Sequence, residues 1–241
     1  MPPLSPLTAF LLQRDHLLLP GTPPLTLHRI CFDAAAFTPA CFAAHDMALP
    51  ASLQHAAPKR LGEFLAGRLA AREALRPFGL AGNGVAIGSA REPLWPLGME
   101  GSISHSQLAG QGVALCGVRP AQGGMGLDLE AWLGPEQGNQ LWPGIVDEDE
   151  WGRLEAGARA LGLDRARGLT LVFSAKESLF KALHPRVGRY FDFLDARWLG
   201  MTAQSLTLEL KVPLTPTLPA GWRCTLHWQP LAGGVLTSLL L

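Results

Sequence analysis

The sequence is cut almost at its midpoint by Pro120-Ala121-Gln122-Gly123-Gly124. The proline removes a backbone donor and the paired glycines bring no side chain to a core, so no regular element runs through this stretch. The 241 residues therefore divide into candidate domains 1–124 and 125–241, each long enough to bury a core of its own. In the first, short strands are expected at 7–12 and 25–32 around the turn Pro20-Gly21-Thr22-Pro23-Pro24. Pro58 then opens a helical pattern in which Leu61, Phe64, Leu65, Leu69 and Leu75 recur every three or four residues until Pro77 and Gly79 stop it. Strands follow around Val85–Ile87 and Gly101–Ser106, and the apolar stretch Leu108–Val118 fits either a helical turn or a buried strand. In the second, Met125–Glu130 alternates as a strand, 131–144 is loop-like, Asp147–Leu161 and Arg165–Leu183 are helical, and Leu206–Val212, Trp222–Trp228 and Val235–Leu241 are strands. Both halves thus read strand, helix, strands. That order predicts an α+β fold of two similar halves related by a pseudo-two-fold axis, with an active site at the interface between them.

Composition removes several classes of function. Lys plus Arg balance Asp plus Glu at 20 each, so no general nucleic-acid surface is expected. With 48% hydrophobic and 17% charged residues the chain is a folded globule and not a disordered one. Cys31, Cys41, Cys116 and Cys224 have neither CxxC nor zinc-ligand spacing and read as free thiols. Arg14, Asp15 and His16 interrupt the N-terminal apolar run, so no signal peptide is expected, and no stretch reaches the roughly 18 apolar residues of a membrane span. A cytoplasmic protein is the expectation.

Four constellations carry chemistry. In Gly126-Leu127-Asp128-Leu129-Glu130, residues two apart on a strand share a face, which sets Asp128 beside Glu130 while Leu127 and Leu129 face the core. Two neighbouring carboxylates repel unless a cation joins them, and oxygen donors of this kind suit Mg²⁺; a solvated acidic edge strand is the alternative. In the stretch Phe173–Ala182 (FSAKESLFKA), Glu177 and Lys181 are four apart on one helix face, which also describes an ordinary surface ion pair. Ser174 and Glu177 fit a capping box as well, although the helical pattern already begins at Arg165. The third constellation, Gly101–Ser106 (GSISHS), gathers hydroxyls and His105 in a form able to receive a phosphate. In the fourth, Lys59, Arg60, Arg68 and Arg72 recur along the first helix near one face, where guanidinium forks can grip a phosphate or be solvated.

Together with Glu92–Pro96 (EPLWP) and the helix segment Glu63–Ala71 (EFLAGRLAA), these strings resemble, in order, the surfactin-synthetase-type 4′-phosphopantetheinyl transferases, and within them the enterobactin-synthetase component D subgroup. The resemblance covers about residues 58–183. It implies a Mg²⁺-dependent enzyme that moves the 4′-phosphopantetheine group from coenzyme A to a serine of an acyl, peptidyl or aryl carrier protein and releases adenosine 3′,5′-bisphosphate. It implies Asp128, Glu130 and Glu177 as metal ligands, Glu177 also as general base, and Lys181 as the lysine on the coenzyme A phosphates. Ser104 and His105 match a phosphate-contacting pair, and Lys59, Arg60 and Arg68 fall where the far phosphate is held. A monomer is expected. Two departures stand out: Phe173 where many members have tryptophan, and Glu92 where some have a lysine near the adenine. The alternatives are another metal-dependent phosphate-ester enzyme, which needs no basic helix, and a non-catalytic coenzyme A or carrier-binding module, which needs no acids.

Overall fold

A computed structural model describes residues 9–21, 24–89 and 91–241. The chain forms two compact units, Met1–Ala121 and Gln122–Leu241. Of the expected elements, Leu7, Thr8, Thr22 and Pro23 lie outside the described residues.

The first unit is an antiparallel sheet with one long helix against it. Its strands are β1 (Leu11–Leu19), β2 (Leu25–Phe32), β5 (Met99–Leu108) and β6 (Gln111–Pro120), in the order β1-β2-β6-β5. The short pair β3 (Ala86–Ile87) and β4 (Pro93–Leu94) stands apart from this sheet. The short helix α1 (Ala40–Ala44) precedes the long helix α2 (Pro58–Leu75). Pro58 occupies the first turn of α2, where a missing N–H costs nothing, and no β-branched residue occurs along the helix. Gly79, at φ +72°, ends the turn that follows. Leu61, Leu65, Leu69 and Leu75 of α2 pack with Phe10, Ile30, Phe32, Ala114 and Cys116 into one core.

Two expectations change here. Strand β1 runs through Gln13, Arg14, Asp15 and His16 instead of ending at residue 12. It is an edge strand, so its polar side chains stay solvated, and the Arg29 guanidinium donates to Asp15 Oδ1 at 2.7 Å across the pair. The ambiguous stretch after Leu108 is strand β6, joined to β5 by Ala109-Gly110, both at positive φ as a two-residue hairpin turn requires.

The second unit repeats the plan on a five-stranded sheet. Its elements are β7 (Met125–Ala131), α3 (Pro135–Leu141), α4 (Glu148–Arg159), α5 (Arg165–Val187), β8 (Ala196–Met201), β9 (Ser205–Leu210), β10 (Arg223–Leu231) and β11 (Gly234–Leu240). The strand order is β7-β11-β10-β9-β8, antiparallel throughout. Helix α5 packs Leu169, Val172, Ala175 and Leu179 against Leu208, Leu226, Val235 and Leu239. Asp164 caps its start by accepting from Arg167 N at 2.8 Å, which leaves Ser174 inside the helix and not at its cap. Gly188, at φ +68°, closes its end. Two elements depart from expectation: α3 forms within the stretch expected as loop, and β8 is a strand without a counterpart among the expected ones. All four cysteines are buried and free, and no described helix is long and apolar enough to cross a membrane.

An ion pair with no sequence signature lies in the core of this unit. Lys176 and Glu150 are 2% and 1% exposed. Lys176 Nζ donates to Ile145 O at 2.7 Å and to Glu150 at 3.4 Å, and Glu150 accepts from Trp198 N at 2.7 Å and Asp147 N at 3.1 Å. One carboxylate thereby ties α4, β8 and α5 together. A buried pair is tolerated only with such added hydrogen bonds, and removing one partner strands the other charge in a dry core. Glu150→Ala is expected to destabilise the fold by about 3–5 kcal/mol in urea denaturation. The double change Glu150→Gln with Lys176→Met, which leaves no net buried charge, is expected to cost less than Glu150→Ala alone.

Candidate functional site

In the second unit, the site rests on the approach of α5 to β7. A Cβ at Gly126 would collide with the carbonyl of Ser178, so only glycine lets the helix settle at this distance. Hydroxyls join the layers beside it. Thr237 Oγ1 of β11 donates to Ser174 O at 2.8 Å, and Ser178 Oγ lies 2.7 Å from Thr237 Oγ1. Thr237 pairs with Asp128, Leu239 with Gly126 and Val235 with Glu130 across the strands. Gly126, Asp128 and Glu130 consequently share the face that receives α5. Leu127 and Leu129 are fully buried, but on the opposite sheet face. The expectation that Leu127 and Leu129 are buried in a core holds, and the alternative of a solvated acidic edge does not: the acids are turned toward the helix, because a glycine and small hydroxyl residues there leave them room.

Onto this face α5 projects Glu177 and Lys181. Lys181 Nζ donates to Asp128 Oδ1 at 2.6 Å, with Asp128 nearly inaccessible and Lys181 about a quarter exposed. The lysine thus bridges helix to strand, and is more than one half of a surface pair along the helix. Burial pushes the Glu130 carboxyl up to about 8, and the charges of Asp128 and Glu177 add to the push while Lys181 opposes it. Burial also raises Glu177; Lys181 opposes this and Asp128 adds to it. Three carboxylates therefore share one neighbourhood with a single ammonium among them.

This donor set suits a divalent cation. All its atoms are carboxylate oxygens, the ligands Mg²⁺ prefers, and two of the three acids are held above their ordinary range, first by burial and then by the negative charge of their neighbours. Among the described residues, no group of three or more His, Cys, Asp or Glu side chains is already drawn together as a ligand shell.

In the first unit, α2 lies against β5, where a Cβ at Gly67 would press on Ile103 at 2.9 Å. His105, two residues along and on the same face, meets the helix: Arg60 Nη1 lies 3.0 Å from its Nε2, and Glu63 Oε2 lies 3.8 Å from its Nδ1. Lys59 is exposed, 4.0 Å from Glu63. Arg60 and His105 are thus brought together. Ser104, by strand alternation, leaves β5 from the other face and is buried there, so it does not join His105.

Arg68 and Arg72 belong to a different surface. Both line a cleft of about 770 Å³ whose walls include Met47, Phe64, Val85 and Ile87. Arg68 lies over the Phe64 ring at 4.7 Å and reaches Ala86 O at 3.5 Å, while Arg72 donates to His45 O at 2.7 Å. Burial lowers Arg68 to about 10, and its Nε is buried without a hydrogen-bond partner. The basic row of α2 therefore does not converge on one point. Sequence reasoning found Arg68 but not its aromatic partner or the cleft; Phe64, four residues before it on the helix, was the available signal.

Comparison with known proteins finds matches on both units. Residues 49–115 match the family model of the 4′-phosphopantetheinyl transferase N-terminal domain, and residues 124–230 match that of the 4′-phosphopantetheinyl transferase superfamily. The chain is 40% identical to enterobactin synthase component D of Escherichia coli K12 over 85% of its own length and 87% of that protein. It is 36% identical to the protein of the same name from Salmonella typhimurium, over 80% and 76% of the two chains. It is 35% identical to the 4′-phosphopantetheinyl transferase Svp of Streptomyces mobaraensis, over 68% and 64%. Matches of this extent, falling on both units and spanning the acids of β7 and the lysine of α5, show that the chain is an enzyme belonging to the 4′-phosphopantetheinyl transferase superfamily.

Proposed function

We propose that the enzyme transfers 4′-phosphopantetheine from coenzyme A to a serine of an acyl, peptidyl or aryl carrier protein in a Mg²⁺-dependent reaction that releases adenosine 3′,5′-bisphosphate. The observation that carries this reading is the group Asp128, Glu130, Glu177 and Lys181, two acids on one face of β7 with an acid and an ammonium of α5 set against them. Asp128, Glu130 and Glu177 would hold Mg²⁺, which when bound neutralises charge on the pyrophosphate. Glu177, with its carboxyl raised above its ordinary range by burial, is suited to take the proton of the serine hydroxyl. The serine oxygen then forms its bond to the phosphorus bearing the pantetheine arm, and the bond from that phosphorus to the departing adenosine bisphosphate oxygen breaks. Lys181, partly exposed beside Asp128, offers an ammonium to the phosphoryl oxygens as charge shifts to the leaving group. In the first unit Lys59, Arg60 and His105 offer positive charge and ring N–H donors to a phosphate. Arg68 and Arg72 offer guanidinium groups on a cleft of a size suited to a nucleotide.

Three measurements test this reading. Glu177→Gln keeps the shape but loses the base. It is expected to lower kcat for loading an apo-carrier by about 10²-fold or more, with little change in thermal stability; near-normal turnover in a folded variant would remove Glu177 from the chemistry. Arg68→Ala and His105→Ala are expected to raise KM for coenzyme A more than KM for dephospho-coenzyme A if either side chain meets the 3′-phosphate. Equal effects on both would place them elsewhere.

The third test concerns pH. Burial and the neighbouring acids push the Glu130 carboxyl up to about 8 in the folded protein, above its ordinary value of 4.5. Its folded form therefore favours the neutral carboxyl. The associated stability is present in full below about 4.5 and is lost as pH rises through about 8. The melting temperature of metal-free protein should accordingly fall between pH 5 and 8, and Glu130→Gln should flatten that fall. Mg²⁺ should raise the melting temperature more at pH 8.5 than at pH 6. An identical pH profile in Glu130→Gln would show that Glu130 is not the source.

A further inference from the structure

The turn that ends α1 holds an acid to which the reaction outlined above gives no task. Asp46 lies at φ +53°, a left-handed conformation that glycine adopts freely and that an aspartate adopts against its own Cβ. The turn is nevertheless fixed. Asp46 N donates to Ala43 O at 3.1 Å, and Met47 N donates to Phe42 O at 2.9 Å. From α2, Arg72 donates to the carbonyl of His45, immediately before the acid, at 2.7 Å. Backbone strain of this kind persists only where the surroundings hold it, and it collects at ligand sites.

Asp46 lines the same cleft of about 770 Å³ as Arg68 and Arg72, and it is the only acid among the described residues that do. Among the described residues, no side chain donates to its carboxylate. Arg68 Nε is likewise buried without a hydrogen-bond partner. Between apolar walls that include Met47, Phe64, Val85 and Ile87, the cleft therefore offers one unused donor and one unused carboxylate. A carboxylate accepts hydrogen bonds and a guanidinium only donates them. The complementary ligand carries negative charge for the arginines and an N–H or O–H donor for the acid.

We propose that Asp46 is a specificity residue for coenzyme A, accepting a hydrogen bond from the exocyclic amino group of its adenine. The assignment rests on the function proposed above, in which this cleft receives the nucleotide end of the coenzyme. That end has two groups able to donate, the amino group of the base and the ribose 2′-hydroxyl. The hydroxyl stands beside the 3′-phosphate, whose charge repels a carboxylate, so the amino group is the donor that an acid can approach. A base without that amino group leaves the acid unpaired, which is how a polar site rejects an analogue.

The test is steady-state loading of a purified apo-carrier domain from two donors, coenzyme A and the analogue in which purine replaces adenine, so that only the amino group is missing. With wild-type enzyme, KM is expected to be about tenfold or more higher for the analogue, the usual worth of a hydrogen bond to a charged group. Asp46→Gly removes the acid and relieves the positive φ. It is expected to raise KM for coenzyme A by a similar factor, to leave KM for the analogue unchanged, and to melt close to wild type. Asp46→Asn, which keeps the left-handed turn and an amide carbonyl, is expected to restore part of the loss. Equal KM values for the two donors in wild-type enzyme, or an Asp46→Gly enzyme in which both rise alike, overturn the assignment alone. A wild-type enzyme that loads no carrier from coenzyme A overturns the functional reading, and the assignment of Asp46 falls with it.

Discussion

The contact on which the second unit depends is the seat of α5 on β7. Gly126 lets the helix backbone settle on the strand, and three hydroxyls, those of Ser174, Ser178 and Thr237, fill the seam with hydrogen bonds where larger side chains would hold the layers apart. A hydroxyl seam is stiffer than an apolar one. Each bond fixes direction as well as distance, and leaving one unmade in a dry environment costs about 1–3 kcal/mol. The buried Lys176–Glu150 pair grips the same helix from its other side. Glu177 and Lys181 are therefore presented by a helix held on two faces.

That rigidity has an electrostatic purpose. Carboxylates at this density would spread apart or take up protons in a pliable site, and the upward push on Glu130 and Glu177 measures how strongly their surroundings resist the charged forms. Lys181 on Asp128 relieves only part of the load. A frame that keeps acids near one another against their repulsion favours positive charge beside them, which is what the proposed reaction would require of this site.

Much of this could be read from the chain because it depends on local periodicity. The alternation from Gly126 to Glu130, the four-residue spacing of Glu177 and Lys181, and the leucines of α2 each express a strand or helix directly. What could not be read depends on contacts between distant elements. Nothing in sequence links Lys176 to Glu150, 26 residues away, and nothing in the alternation of β7 says which of its faces receives the helix. Strand β1 looked interrupted because polar residues on an edge strand imitate a loop, and β8 was hidden by its irregular pairing between Trp198 and Gly200. Helix α3 is only seven residues long and contains Pro135 and Gly138, so its composition speaks for a turn. Ser104 and His105 show the same limit in the first unit: they are adjacent in sequence, yet a strand sends them to opposite sides.

A helix clamped at Ser174, Lys176 and Ser178 also works as a ruler. Each residue adds about 1.5 Å of rise and 100° of rotation, so Glu177 and Lys181 point where they do only while the count from those clamps is kept. Gaining or losing one residue between Ser178 and Lys181 would turn the ammonium about a quarter of the way round the helix and away from Asp128. Length variation in this family of folds should therefore gather in the connections between strands, such as 211–222, while the span from Ser174 to Lys181 keeps its length even where its side chains change.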